Sequence, residues 1–362
     1  MNFVDVIPEH IRKIQPYKPG KPVEEVEREL GITAIKLASN ENPLGPSPKA
    51  VEAVRAFLTD SGRYPEDTGY YLRRQLAERY GIGMENVIVG AGSSDILAMT
   101  THSLLDHETE VLTSDGSFVL YYLFCQSVGA KLVTVPLKNY TFDLDAMAEA
   151  IGPRTRLVLL ANPNNPTGTM VGKESVRRFM DKVPEETLVV FDEAYFEYVR
   201  DESYPDSFEY LSEGRAVLIL RTFSKAYGLA GFRIGYGIGR PDVIECLNKV
   251  RPPFNVPSLG QVAAQAAFED FDHVTRSVEE NRRELDFLAR EFEARTLPFV
   301  PSVANFVLVD VGLPAGEAFD KLLRLGVIVR PMQGAGFPTM VRVSVGTHEE
   351  NVKFLAALDQ MR

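Results

Sequence analysis

Nearly unbroken apolar runs alternate with turn signals through the middle of the chain. Residues 86–89, 110–113, 156–161, 187–191 and 216–220 each read as a strand with no polar face. Such a strand has to be covered on both sides, as in a parallel sheet between helices. Helical spacing lies among these runs. Val51, Val54 and Leu58 follow a Ser47-Pro48 start, and Ile96, Leu97, Met99, Leu104 and Leu105 follow a glycine-rich turn. Residues 87–239 therefore predict an α/β layer structure. A charged helical stretch at 261–295 comes next, its residues 279–293 forming a solvated face. Further apolar runs at 304–309, 327–329 and 340–345 predict the strands of a smaller α/β domain. The proline-rich stretch 251–257 reads as a break. The expected divisions are an N-terminal arm at 1–40, spotted with Pro8, Pro16, Pro19 and Pro22, that packs on the small domain or a partner; a large domain at 41–250; and a small domain at 251–362.

The residues that carry chemistry stand just past the predicted strands, where open α/β sheets bind ligands. Residues 221–233 put Lys225 among Thr222, Ser224, several glycines and Arg233. A lysine amine condenses with a carbonyl once its pKa is lowered, and burial and nearby cations lower it. Hydroxyls and an arginine fork beside it suit a phosphate. An isolated Ser-Lys pair is most often a solvated strand exit, so the reading depends on other positions. Asp192 ends the run at 187–191 and supplies an acid that can hold a pyridine nitrogen protonated; a cap after a strand is an equal reading of that residue alone. Tyr195 follows three residues on. Asn165, in the turn 162–168, offers an amide donor. Ser93 and Ser94 open a helix after the glycine turn at 90–92, a natural anion nest. Phe118 follows another turn and can lie on a ring face, although core burial is its commoner fate. Arg342 alternates with Val341 and Val343 and so faces away from its sheet's core; by itself it reads as a solvent-facing position.

Taken together, residues 37–43, Arg63 to Glu66, 162–168, 192–195, 221–226, 231–233 and 342–347 resemble the histidinol-phosphate aminotransferase family, a fold-type I group dependent on pyridoxal 5'-phosphate. The resemblance spans about 17–350. It implies a large domain with a mostly parallel sheet between helices and a smaller α/β domain. It implies transamination of histidinol phosphate with 2-oxoglutarate or glutamate, in histidine biosynthesis. On this reading Lys225 forms the Schiff base and shuttles the proton, Asp192 pairs with the ring nitrogen, and Tyr195 and Asn165 bond its phenolic oxygen. Ser93, Ser94, Thr222, Ser224 and Arg233 hold the phosphate, helped by Tyr64 from a partner subunit, and Phe118 lies on the ring. Tyr17, given across the dimer, with Asn42, Arg330 and Arg342, meets the substrate. Three features depart from the family pattern: Ser94-Asp95 stands in place of an acidic pair, Phe118 lacks a hydroxyl, and Gly116 stands where proline is usual. An aromatic or other amino-acid aminotransferase, and the decarboxylase of threonine phosphate, share the same core. A nucleotide-binding dehydrogenase or a binding module accounts for 90–95 but not for Asp192 with Lys225.

Bulk properties narrow the setting. The chain has 362 residues, enough for two domains, and a net charge of −11, which disfavours nucleic acid or an anionic membrane as partner. Two lone cysteines and five scattered histidines suggest neither disulfides nor a metal site. The N-terminus shows no signal pattern, and no apolar run nears the length of a membrane span. A cytoplasmic protein is expected, and the resemblance implies a homodimer with shared active sites.

Overall fold

The computed structural model describes residues 2–17 and 20–361; Pro19, counted above among the arm's prolines, lies outside them. A seven-stranded sheet organises the large domain. Its order is Val87–Gly90, Gly235–Gly239, Val217–Thr222, Leu188–Asp192, Thr155–Ala161, Glu110–Ser114, Lys131–Val135. The neighbours from Val217–Thr222 to Lys131–Val135 are parallel. Gly235–Gly239 runs against both of its neighbours, so it alone is reversed.

Both faces are covered, as the unbroken apolar runs require. Ile96 and Leu97 of helix Ser93–Leu104, Tyr121 and Cys125 of Val119–Ser127, and Val176 and Phe179 of Lys173–Met180 share one core cluster with Leu157, Leu159, Val189 and Leu218. In a second cluster Ile219, Phe223 and Tyr236 meet Ala50, Leu72, Leu76 and Ala263.

The small domain has an antiparallel sheet in the order Arg330–Pro331, Met340–Ser344, Phe306–Asp310, Phe299–Val300. Helices Phe271–Ala294, Ala315–Arg324 and His348–Met361 bury Leu288, Phe292, Leu322, Phe354 and Leu358 against Val307, Val309, Val341 and Val343. The arm also joins this domain. Ile35–Lys36 pairs in parallel with Val327–Ile328, and Val26, Ala34 and Ala38 cluster with Ile328.

Two expectations about 251–295 need correction. The stretch 251–257 does not divide the cores. Arg251 is paired with Asp67 at 2.6 Å, Asn255 donates to Asp95 at 2.7 Å, and helix Ser258–Phe268 buries Ala263, Ala264 and Ala267 in the large domain. The predicted single helical region breaks at Glu269-Asp270, where the Asp270 carboxylate turns aside to accept a 2.6 Å bond from Ser47 Oγ. Among the described residues no helix is long and apolar enough to cross a membrane.

Candidate active site

Because six strands of the large sheet point the same way, their carboxyl ends open on one edge, and a cavity of about 890 Å³ lies between that edge and the small domain. The loops that follow these strands line it. Ser93 and Ser94 follow Val87–Gly90, Phe118 follows Glu110–Ser114, and Asn165 follows Thr155–Ala161. Asp192 and Tyr195 come from Leu188–Asp192 and its exit, and Thr222, Ser224 and Lys225 from Val217–Thr222 and its exit. Arg233 reaches the same edge from the start of the reversed strand. Tyr17, Arg330 and Arg342 close the cavity from the arm and the small domain.

Lys225 stands deep in the cleft, where its Nζ donates to Ser39 O at 3.1 Å. Burial, with the guanidiniums of Arg342 and Arg233, brings its amine down from 10.5 to about 7, against the opposing pull of Glu41 and Asp192. Asp192 lines the same cavity. Burial raises its carboxyl from 3.8 to about 6, and a 2.9 Å bond from the Tyr121 hydroxyl holds it back. Tyr195 is buried, and its phenolic oxygen accepts Nδ2 of Asn40 at 2.9 Å and Nδ2 of Asn165 at 3.0 Å. With both acceptor positions filled, its one hydrogen is free for the cleft.

An anion nest forms where helix Ser93–Leu104 begins. Gly92 has φ 87°, and a Cβ there would lie 2.7 Å from Arg233 Nη2; a Cβ on Gly235 would lie 2.4 Å from Ser93 N. These close approaches gather the amides at the helix start, the hydroxyls of Ser93, Ser94, Thr222 and Ser224, and the Arg233 guanidinium, 3.5 Å from Ser224 Oγ. Phe118 flanks the cavity, edge-on to Tyr121. This donor set fits a phosphorylated pyridine aldehyde. One cavity brings together an anion cradle, a carboxylate, an amine of lowered pKa, a phenol and an amide.

Arg342 is buried, not solvent-facing. It donates to Asn165 Oδ1 at 2.5 Å and to Ala38 O at 2.8 Å, and its Nε is buried with no partner. Alternation did place it off the core; the face away from that core is the cleft. Arg330 lies 5.0 Å over the ring of Tyr17, so Tyr17 reaches the cleft of its own chain rather than lying only across an interface. Asn42 does not line the cavity. It is tied to Ala226 O, Ser277 Oγ and the amide of Leu44, which makes it a support for the loop behind Lys225. Tyr64 also stands off this cleft, 82 % exposed and stacked on Phe254 at 4.7 Å. Sequence reasoning missed Asn40, Tyr121 and Glu41. Asn40 lay inside the motif at 37–43, two places from Asn42. Tyr121 gave no signal, because its partner comes from a distant strand.

The fold and cleft define a fold-type I aminotransferase. The family model for aminotransferase class I and II matches residues 32–358, and the chain belongs to that family. It is similar to histidinol-phosphate aminotransferase 1 of Nitrosococcus oceani, 49 % identical over 96 % of this chain and 95 % of the relative. It is 48 % identical to the histidinol-phosphate aminotransferase of Moorella thermoacetica, over 98 % and 92 %. The crystal structure of histidinol-phosphate aminotransferase from Sinorhizobium meliloti, in complex with pyridoxal-5'-phosphate, superposes with a TM-score of 0.89 at 30 % identity, covering 99 % of this chain and 98 % of that one.

Proposed function

We propose that this chain is a pyridoxal-phosphate-dependent aminotransferase that moves the amino group of histidinol phosphate to 2-oxoglutarate, working as a cytoplasmic homodimer in histidine biosynthesis. One observation carries the reading: Lys225 and Asp192 line a single cavity, with an anion cradle at the lysine's side. The relatives' shared name supports the choice of substrate. So does the chemistry of the cleft, where Arg342 and Arg330 offer positive charge to the anionic end of a phosphate-bearing amine.

Bound pyridoxal phosphate supplies an aldehyde that takes up amines and a ring that draws electrons from the substrate's α-carbon. Ser93, Ser94, Thr222, Ser224 and Arg233 hold its phosphate. Asp192, as a carboxylate, would keep the ring nitrogen protonated. Tyr195 gives its hydrogen bond to the phenolic oxygen, with Asn165 alongside, and Phe118 fixes the ring plane. Lys225, partly neutral near pH 7, would take the proton from the substrate carbon at Nζ. Arg342 and Arg330 orient the substrate, and Tyr17 shields the entrance from water. Tyr64 completes the phosphate cradle of a second copy.

Half-reaction spectra with a panel of amines test this reading. Histidinol phosphate should discharge the yellow chromophore fastest, and 2-oxoglutarate should restore it. Lys225→Ala should keep the fold and lose turnover by several orders of magnitude. Faster reaction with phenylalanine, or carbon dioxide release from threonine phosphate without an oxo-acid, would replace the substrate assignment. Normal turnover by Lys225→Ala would sink the mechanism.

A further inference from the structure

Asn40 has no part in the machinery above, yet it is tied to it more closely than most of its members. It is 1 % exposed and sits at φ 54°, a left-handed conformation that a non-glycine residue adopts at a cost and asparagine best tolerates. Every polar group it has is engaged. Its backbone amide donates to Ser344 Oγ at 2.7 Å, and its carbonyl accepts Asn305 Nδ2 at 3.0 Å. Its Oδ1 accepts Ser344 Oγ–H at 3.2 Å, which leaves Nδ2 to donate to the Tyr195 hydroxyl at 2.9 Å. Ser344 ends the strand Met340–Ser344 that also carries Arg342, and Asn305 adjoins the next strand, Phe306–Asp310. Asn40 therefore hangs from the small domain by three bonds and reaches the large domain by one.

We infer that Asn40 is a positioning residue: its amide, oriented by Ser344 of the small domain, fills one acceptor position of the Tyr195 phenol and so turns the phenolic hydrogen into the cleft. Asn165 fills the other position from the large domain, its own Oδ1 held by Arg342. The pair makes the phenol a better donor, because a hydroxyl that accepts donates more strongly. The charged groups facing that phenol are Arg342, Asp192 and Lys225, whose Nζ lies 5.7 Å from the tyrosine ring centroid. This role rests on the proposed use of Tyr195 toward the cofactor's phenolic oxygen.

Two substitutions separate positioning from mere support. Asn40→Gly accepts the positive φ and deletes only the amide. Asn40→Asp keeps the shape but can no longer donate, and it turns the tyrosine hydrogen toward itself. The readout is the pH at which the visible absorbance of the pyridoxal phosphate-loaded protein changes form, with thermal midpoints of the cofactor-free chains as a folding control. A donor to the phenolic oxygen steadies negative charge there, so weakening it lets the chromophore keep its proton to higher pH. The midpoint should rise by roughly half to one unit in Asn40→Gly, and further in Asn40→Asp. Both variants folded with the midpoint unmoved, or moved down, would overturn the role of Asn40 and leave the proposed function standing. A wild-type protein that forms no chromophore would instead overturn the proposed function, and this role with it.

Discussion

Lys225 and Asp192 are displaced from their ordinary ionisation in opposite directions by the same burial, the lysine downward and the aspartate upward. Well below pH 6 the cleft holds an ammonium and a neutral acid; well above 7 it holds a free amine and a carboxylate. The rate at which cofactor-free protein captures pyridoxal phosphate should therefore climb through pH 7 and level off, followed by stopped-flow absorbance. Arg342→Met removes the cation that, after burial, most lowers the lysine, so the midpoint of that climb should shift upward, toward 10.5. An unchanged or lower midpoint would show that Arg342 does not act on Lys225. Lys225 and Asp192 were legible because each stands just past an apolar run. Asn40 was not. One side chain of the motif at 37–43 faces the cleft and another, Asn42, the loop behind it; the positive φ that directs Asn40 leaves no trace in residue type beyond asparagine itself.

Strands were the most readable elements, because burial on both faces leaves an uninterrupted apolar run. Gly235–Gly239 was readable as a strand but not as the reversed one, since direction depends on its neighbours. The break at Glu269-Asp270 was hidden for a similar reason: Ser47, which draws off the Asp270 carboxylate, lies far away in sequence. The stretch 251–257 misled because proline-rich composition suits a linker and a braced loop alike; Arg251 with Asp67 makes it the latter. The start of helix Ser93–Leu104 leans on the bare edge of Gly235. Gly235→Ala inserts a methyl into that contact, which costs about 1–3 kcal/mol of overpacking. The helix start must back away, so cofactor affinity should fall roughly tenfold, with a lower thermal midpoint. Equilibrium titration with pyridoxal phosphate checks this, and unaltered affinity would mean that the nest tolerates displacement.

Across the whole molecule the two cores have separate sheets but share one cavity. Sequence reasoning found both domains and erred on where the chain passes from one to the other, because that passage is set by packing partners, not by local composition. The exposed Tyr64–Phe254 pair lies outside its own cleft, which suits the proposed contribution to a second copy. Complementation tests that geometry. Tyr64→Ala and Lys225→Ala chains, each impaired alone, should regain activity when unfolded and refolded together, because a mixed dimer holds one site with an intact lysine and an intact donated tyrosine. If Tyr64 served its own chain, the mixture would show no more than the sum of its parts.

The reversed strand Gly235–Gly239 has one more effect. Since it starts where Val217–Thr222 stops, the chain leaves the sheet at Thr222 and re-enters beside it at Gly235, with both rims fastened. The amine at 225 and the guanidinium at 233 thus ride a single tethered excursion, whose span limits their separation. Residues inserted between 222 and 235 would act on that separation directly, whereas residues inserted in the other loops around the cleft would not.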